Sequence, residues 1–215
     1  MIKKKRENQL VAVEGIKLAV FILFFALFFF LYKAYVVSII LFIFFIFNLY
    51  FFRNPKRISP VGKQVVSPAD GEVILIKEVY EEKFLKKEAI KISIFMSIFN
   101  VHINRSPYDG EVIDVKYEKG RFFSADLDKA TDENEKNYIL LKTLDGEKIL
   151  FVQVAGLIAR RIVCDVQRGD YLKKGDIIGL ICYGSRLDIF MPKNSEIKVK
   201  LKDKVKAGET ILGIL

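Results

Sequence analysis

From Ile16 to Phe52 the chain is almost unbroken apolar sequence, interrupted by Lys17, Lys33, Ser38 and Asn48 as the clearly polar side chains. A single helix over this run would be about 55 Å long, whereas the hydrocarbon core of a bilayer is about 30 Å thick. Splitting the run at Tyr32-Lys33 gives two spans, at about residues 15–31 and 34–52, each long enough to cross. Lys3, Lys4, Lys5 and Arg6 precede the first span, and Arg53, Lys56 and Arg57 follow the second. Basic residues at both ends predict that both face the cytoplasm, with Lys33 snorkelling at the far tip. A cleaved signal peptide fits poorly, because the apolar region is too long and lacks a small-residue cleavage site. Residues 1–52 therefore read as a membrane anchor of two transmembrane helices, and residues 53–215 as one further domain.

Beyond Phe52 the pattern changes to short runs rich in β-branched residues, broken by Gly, Pro and Asp. Strands are predicted at 71–76, 89–95, 110–115, 138–142, 148–154, 161–163, 176–181 and 196–201, with turn signals at Asp109-Gly110, Asp145-Gly146 and Lys174-Gly175. This spacing predicts a mainly β domain, an antiparallel sandwich or barrel-like sheet rather than a parallel α/β fold. The more polar stretch 119–136 reads as a loop with one helical turn. Tyr171–Gly179 and Lys204–Gly213 resemble each other, each a strand, a glycine turn and a strand. That wording is similar to the hammerhead elements of lipoyl-carrier and membrane-fusion domains.

The side-chain inventory excludes several kinds of chemistry. There is one histidine, His102, so histidine-rich metal sites and two-histidine hydrolase centres cannot be built. Cys164 and Cys182 have no metal-ligand spacing and form no disulfide framework; they read as small buried hydrophobes suited to a reducing compartment. No metal site is expected. The net charge is +9, and residues 1–52 hold six Lys or Arg against two Glu, so five of those nine charges lie beyond the anchor. A basic excess beside a bilayer suits an anionic lipid surface, each such residue contributing about 1 kcal/mol. No nucleic-acid motif supports the rival explanation of a basic chain.

Three places hold reactive groups: Asp70 in Ser67-Pro-Ala-Asp-Gly71, His102 and Arg105 in Phe99–Pro107, and Gly184-Ser185. Each has a plain reading. Asp before Gly caps its own turn, a lone histidine after an apolar strand is commonly structural, Arg105 can be a surface charge, and Gly-Ser is a common turn. Together they supply an acid, an imidazole and a hydroxyl, the parts of a nucleophile, base and orienter set. A glycine carbonyl is unshielded by any Cβ, and the serine after it carries a hydroxyl that a neighbouring base can activate. No Gly-x-Ser-x-Gly elbow surrounds Ser185.

The ordered segments Arg53-Asn-Pro-Lys-Arg57, Val66-Ser-Pro-Ala-Asp-Gly71, Asn100-Val-His-Ile-Asn-Arg-Ser-Pro107, Asp128–Glu135, Gln153–Val163, Tyr183-Gly-Ser-Arg186 and Met191-Pro192 resemble the phosphatidylserine decarboxylase family. The likeness is to its short membrane-anchored form, which includes archaetidylserine decarboxylases. It implies a proenzyme that cuts itself between Gly184 and Ser185, leaving a covalent pyruvoyl group at position 185 and large and small chains of 1–184 and 185–215. It further implies a Schiff base with the amine of a serine phospholipid, loss of carbon dioxide and release of the ethanolamine lipid. Asp70 and His102 match positions implicated in processing and proton transfer. Long bacterial members have a second histidine where Arg105 stands, and a guanidinium there suits a lipid phosphate.

Two other readings use the same residues. A non-enzymatic, membrane-tethered hammerhead or lipoyl-like adaptor predicts one intact chain without an electrophilic carbonyl. A membrane-bound serine hydrolase predicts a free serine that fluorophosphonates label. The sequence leaves open diacyl ester against isoprenoid ether lipid chains, and whether the protein is a homo-oligomer.

Overall fold

The computed structural model describes residue 6 and residues 9–121, 133–156, 161–182 and 185–215. The chain divides into two compact units, Met1–Lys56 and Arg57–Leu215. The first holds two helices, α1 (Val13–Leu31) and α2 (Tyr35–Phe51). The turn between them falls at Tyr32-Lys33, where Lys33 takes a φ of 60° although no glycine or proline marks the site. Gly15, Ala19 and Ala26 are the buried residues of α1, small enough to let α2 approach closely. The polar residues of α2 serve this packing: Ser38 Oγ donates to Ala26 O at 2.8 Å and Asn48 Nδ2 to Gly15 O at 2.7 Å. Phe21, Phe24, Leu27, Phe30, Ile40 and Phe44 lie exposed on the outside. With 19 residues and a mean hydropathy of 2.3, α1 is long and apolar enough to cross a bilayer. The shorter α2, at 17 residues, lies at the lower limit of about 17 for a span. After the helices, Asn54 donates to Arg6 O (3.0 Å) and Gln9 O (2.9 Å), tying the incoming and outgoing segments together.

The second unit is antiparallel β throughout its strand pairs, as the sequence predicts. Its strands are β1 (Gln64–Val66), β2 (Gly71–Glu81), β3 (Lys87–Met96), β4 (Ile103–Arg105), β5 (Gly110–Glu118), β6 (Lys136–Lys142), β7 (Lys148–Ala155), β8 (Ile162–Cys164), β9 (Tyr171–Leu172), β10 (Ile177–Ile181), β11 (Ser185–Pro192), β12 (Glu196–Ile197), β13 (Lys204–Val205) and β14 (Ile211–Ile214). They form an eight-stranded sheet, β13-β2-β3-β11-β7-β6-β5-β9, and two three-stranded sheets, β1-β14-β12 and β4-β10-β8.

These orders describe a duplication. β4 to β10 repeat the pairings of β1, β2, β3, β11, β12, β13 and β14, and the large sheet reads equivalently from either end. The repeat is visible in the chain as Ser67-Pro-Ala-Asp-Gly-Glu-Val-Ile74 and Ser106-Pro-Tyr-Asp-Gly-Glu-Val-Ile113. Each copy opens alike: Asp70 Oδ1 accepts the Ala207 N–H at 2.8 Å, and Asp109 Oδ1 accepts the Lys174 N–H at 2.7 Å. Gly208 and Gly175, at φ of 75° and 85°, turn the chain at equivalent corners and donate to Ser67 O and Ser106 O. A Cβ on Gly71 would lie 2.1 Å from Phe95 O, and one on Gly110 2.4 Å from Lys142 O, so both strands need glycine for close approach. The second copy is inserted whole between β3 and β11 of the first. The glycine-turn likeness of 171–179 to 204–213 is thus one part of a domain-wide repeat.

One face of the large sheet carries the main core, with Ile92, Ile94, Ile139, Phe151, Leu187 and Ile189 among its members. The other holds a smaller apolar group around Leu140, Leu150, Val152 and Val154. The predicted strand 196–201 shrinks to Glu196–Ile197, and β11 was not expected as a strand at all. Arg186 and Asp188 look like solvated residues in sequence, but both are buried and pair with each other (Nε–Oδ1 2.9 Å), and Asp188 also pairs with Lys91 (3.0 Å). Most of the expected loop 119–136 lies outside the described residues.

Candidate active site

Ser185 is the first residue of β11, a strand bonded on both sides within the large sheet. It pairs with Met96 on β3 and Ala155 on β7, and all three are fully buried. Its side chain shares the core face with Leu187 and Ile189, and its Oγ lies 3.4 Å from Met96 Sδ. Arg186, next in the chain, points to the opposite face and its buried ion pairs. Upstream, β10 belongs to the small sheet, where Ile181 N donates to His102 O (3.4 Å) and Cys182 N to Arg161 O (3.1 Å). The chain therefore crosses from one sheet to another between Cys182 and Ser185, at the junction where the inserted copy ends. Gly184 and Tyr183, which the sequence places at that junction, lie outside the described residues.

The strand alongside β10 is β4, and it carries the next site residues. Arg105 pairs with Ile177, Asn104 with Gly179 and Ile103 with Leu180. His102, just before β4, is 2% exposed, and its Nδ1 lies 3.0 Å from Asn100 O. A carbonyl only accepts, so Nδ1 carries the proton and Nε2 is the basic nitrogen of the neutral ring. Arg105 Nη1 donates to Gly175 O at 2.9 Å, which braces the corner of the inserted copy. Asn104, to which the sequence assigns no role, is fully buried, and its Nδ2 lies 3.7 Å from Met96 Sδ.

Asp70 sits at the corresponding corner of the first copy. Arg105 N donates to Pro68 O at 2.9 Å, so β4 is anchored to the turn that presents it. Asp70 Oδ2 accepts from Arg57 Nη2 at 2.8 Å, while Arg57 Nη1 reaches Glu209 at 3.0 Å. With Ala207 N on Oδ1, both carboxylate oxygens are hydrogen-bonded. Arg57 belongs to the Arg53–Arg57 motif, and burial of its side chain (8% exposed) is what the sequence does not reveal. Asp70 and Asn100 also line a cavity of about 550 Å³, together with Phe95, Ser97, Lys204 and Lys206. The geometry thus groups Ser185, Met96, Asn104 and the backbone of His102 at one crossing. It puts Asp70 and the residue that orients His102 on one cavity.

These features define a duplicated antiparallel domain with an enclosed serine at a chain crossing and a buried histidine on the segment that borders β10. Residues 44–213 match the model of the phosphatidylserine decarboxylase family. The chain is 47% identical over 214 residues to a phosphatidylserine decarboxylase proenzyme of Syntrophus aciditrophicus, covering 97% of this chain and 99% of the relative. It is 47% identical over 212 residues to that of Geotalea uraniireducens (98% and 99%) and 53% over 171 residues to that of Geobacter sulfurreducens (79% and 78%). The chain belongs to the phosphatidylserine decarboxylase family.

The Asp70 clamp makes a prediction about stability. Removing one partner of a buried ion pair leaves the other charge uncompensated, at a cost of about 3 kcal/mol. Arg57→Ala is expected to destabilise the domain on this scale, and Asp70→Asn in the same chain to recover part of the loss. Circular-dichroism denaturation of the two single variants and the double variant in detergent measures the coupling. Additive effects would show that the two side chains do not interact.

Proposed function

We propose that the protein is a membrane-anchored proenzyme that cuts its own Gly184–Ser185 bond and then decarboxylates a serine-headgroup phospholipid. The observation that carries this reading is the placement of Ser185, in a chain of this family, as a buried hydroxyl at the crossing between two sheets. Its flanking segments are held separately, up to Cys182 by β4 and β8 and from Ser185 onward by β3 and β7. A bond suspended between two fixed segments can be pinned in one attacking geometry, which is where proximity contributes most. β11 keeps both its neighbours after the cut, so the small chain 185–215 stays in the sheet.

The surroundings of position 185 suit a pyruvoyl group, which is small and uncharged. The side-chain position faces a thioether, and Met96 and Ala155 on either side are fully buried. Such a group supplies an electrophilic carbonyl for the substrate amine and a sink for the electrons released with carbon dioxide. His102 is assigned proton delivery, its Nδ1–H held by Asn100 O so that Nε2 exchanges the proton. Asp70 is assigned to processing. With both oxygens already accepting, it fits an electrostatic and orienting role better than direct proton abstraction from Ser185. Lys204 and Lys206 put positive charge on the cavity shared by Asp70 and Asn100, which suits an anionic headgroup. Arg105 is retained as a further phosphate ligand, since a five-donor fork can hold a second acceptor beside Gly175 O. The two helices anchor the domain, with both ends of the hairpin cytoplasmic. The adaptor reading rested on the glycine-turn likeness, which the duplication accounts for.

Denaturing mass spectrometry of the purified protein is expected to find chains of 1–184 and 185–215, the second blocked to Edman sequencing and reducible by borohydride. Ser185→Ala is expected to remain whole. A wild-type protein that stays intact while active would overturn the mechanism.

The roles of Asp70 and His102 separate in time. Asp70→Asn is expected to accumulate precursor, well beyond Asp109→Asn, which alters the equivalent turn of the other copy and controls for folding. His102→Ala is expected to cut within hours yet lose decarboxylation by about 10²–10⁴-fold. Gels read beside thin-layer plates follow both. Equal processing by the two aspartate variants, or normal turnover without His102, would refute the division.

Sidedness is tested by reporter fusions after Lys4, after Lys33 and after Arg57. Cytoplasmic signals at the first and third, and an external signal at Lys33, are expected. An external Arg57 would require a single span instead.

A further inference from the structure

A chain of buried amides runs through the main core toward Ser185, and the self-cleavage reading assigns it no role. Asn137 Nδ2 donates to Gln153 Oε1 at 3.0 Å, and Gln153 Nε2 donates to Asn104 Oδ1 at 2.9 Å. Asn104 and Gln153 are completely buried and Asn137 is 2% exposed. The polarity of the chain is set by Met96, whose thioether can only accept, so the Asn104 NH₂ faces it. With Oδ1 occupied by Gln153, Asn104 must turn its NH₂ toward Met96 and position 185. The reverse orientation would set a carbonyl oxygen against the lone pairs of the sulfur.

At that end the donor is poorly matched. The acceptor it meets among the described residues is Met96 Sδ at 3.7 Å, a weak thioether acceptor that also receives Ser185 Oγ at 3.4 Å. An oriented, desolvated N–H that shares one sulfur with a hydroxyl gains most if negative charge develops on that oxygen. A hydrogen bond to an ionised oxygen is roughly twice as strong as a neutral one. Methionine is flexible enough to yield the position.

We propose that Asn104 donates to Oγ of position 185 as that oxygen leaves during self-cleavage, and so drives the elimination step. This rests on the self-cleavage reading. Once Oγ has attacked the Gly184 carbonyl and the peptide nitrogen has left as an amine, an ester joins the two residues. A base then removes the Cα proton of residue 185, and that electron pair becomes the Cα–Cβ double bond. The Cβ–Oγ bond breaks with its electrons going to Oγ, which departs as part of the Gly184 carboxylate. Water replaces the nitrogen on the remaining enamine and ammonia is lost, leaving the ketone. In the elimination negative charge builds on Oγ as the Cβ–Oγ bond breaks, while in the attack Oγ gives up its charge to the Gly184 carbonyl oxygen. A donor there accelerates that step, whereas in the preceding attack it would only weaken the nucleophile.

The test uses the full chain in detergent, followed by denaturing mass spectrometry with and without hydroxylamine, which opens esters but not peptide bonds. Asn104→Leu is expected to slow chain separation by about 10²-fold, the effect of losing one such donor. It is also expected to build up a hydroxylamine-sensitive species that releases residues 1–184 as the hydroxamate. Asn104→Asp is expected to stall in the same way when ionised and to recover at acid pH, where its protonated carboxyl again donates. Gln153→Leu leaves the donor but removes its orienting partner, and is expected to accumulate ester more weakly. Wild-type kinetics in Asn104→Leu, or slow cutting without trapped ester, would overturn the proposal. If Asn104→Leu does not fold, Gln153→Leu decides, and normal cutting there overturns it equally. An uncut wild-type chain would instead refute the self-cleavage reading.

Discussion

Everything at the site depends on β11 being bonded on both sides. Eight residues of this strand pair with β3 and six with β7, so its first residue cannot shift without breaking the middle of the large sheet. Ser185 inherits that rigidity. The same pairing fixes Met96 opposite it, and β4 brings Asn104 against Met96 from the small sheet. Catalytic groups built on strands are held more tightly than groups on loops. Here the Ser185 hydroxyl, proposed as the reactive group, stands at the strand's very end, where the chain leaves the order of one sheet for that of another.

The duplication shows how a structural corner acquires a different use. Asp70 and Asp109 make the same turn, accept the same backbone N–H and precede the same close-packed glycine. What distinguishes Asp70 is the guanidinium of Arg57 on its second oxygen. Around Asp109 the neighbouring cation is instead Lys174, whose Nζ donates to Pro60 O and Gly62 O and lies over the Tyr108 ring. The capping interpretation of an Asp-Gly turn is therefore right for both copies and incomplete for one. The shared turn supplies the position, and the added charge supplies the difference.

The sequence revealed those parts of the molecule whose cause is local. Hydropathy placed both helices within about two residues, even at a tip where only Lys33 marks the turn. Alternation and turn residues found the hairpins of both copies. It failed where burial comes from partners distant in the chain. Arg186 and Asp188 disguised the central strand, because each is buried against the other and Asp188 also meets Lys91, almost a hundred residues earlier. The Ser-Pro-x-Asp-Gly-Glu-Val-Ile repeat was legible but became meaningful only with the strand order. Asn104 stood in a family segment, but nothing in the sequence pointed to its role. Its orientation arises from Gln153 and Asn137, which arrive from β6 and β7.

The clamp on Asp70 also bears on the order in which the protein is made. Arg57 and Asp70 emerge early, but Ala207 and Glu209 are synthesised well after Ser185. Until they arrive, Asp70 has an oxygen without its backbone donor and Arg57 has one of its two carboxylates missing. The strand that fixes Ser185 is likewise incomplete until its full length has left the ribosome. A nascent chain that has just reached residue 185 therefore holds the bond without the surroundings that would act on it. Under the self-cleavage proposed above, assembly from the far side of the Gly184–Ser185 bond works as a timer, and synthesis of the tail precedes its separation.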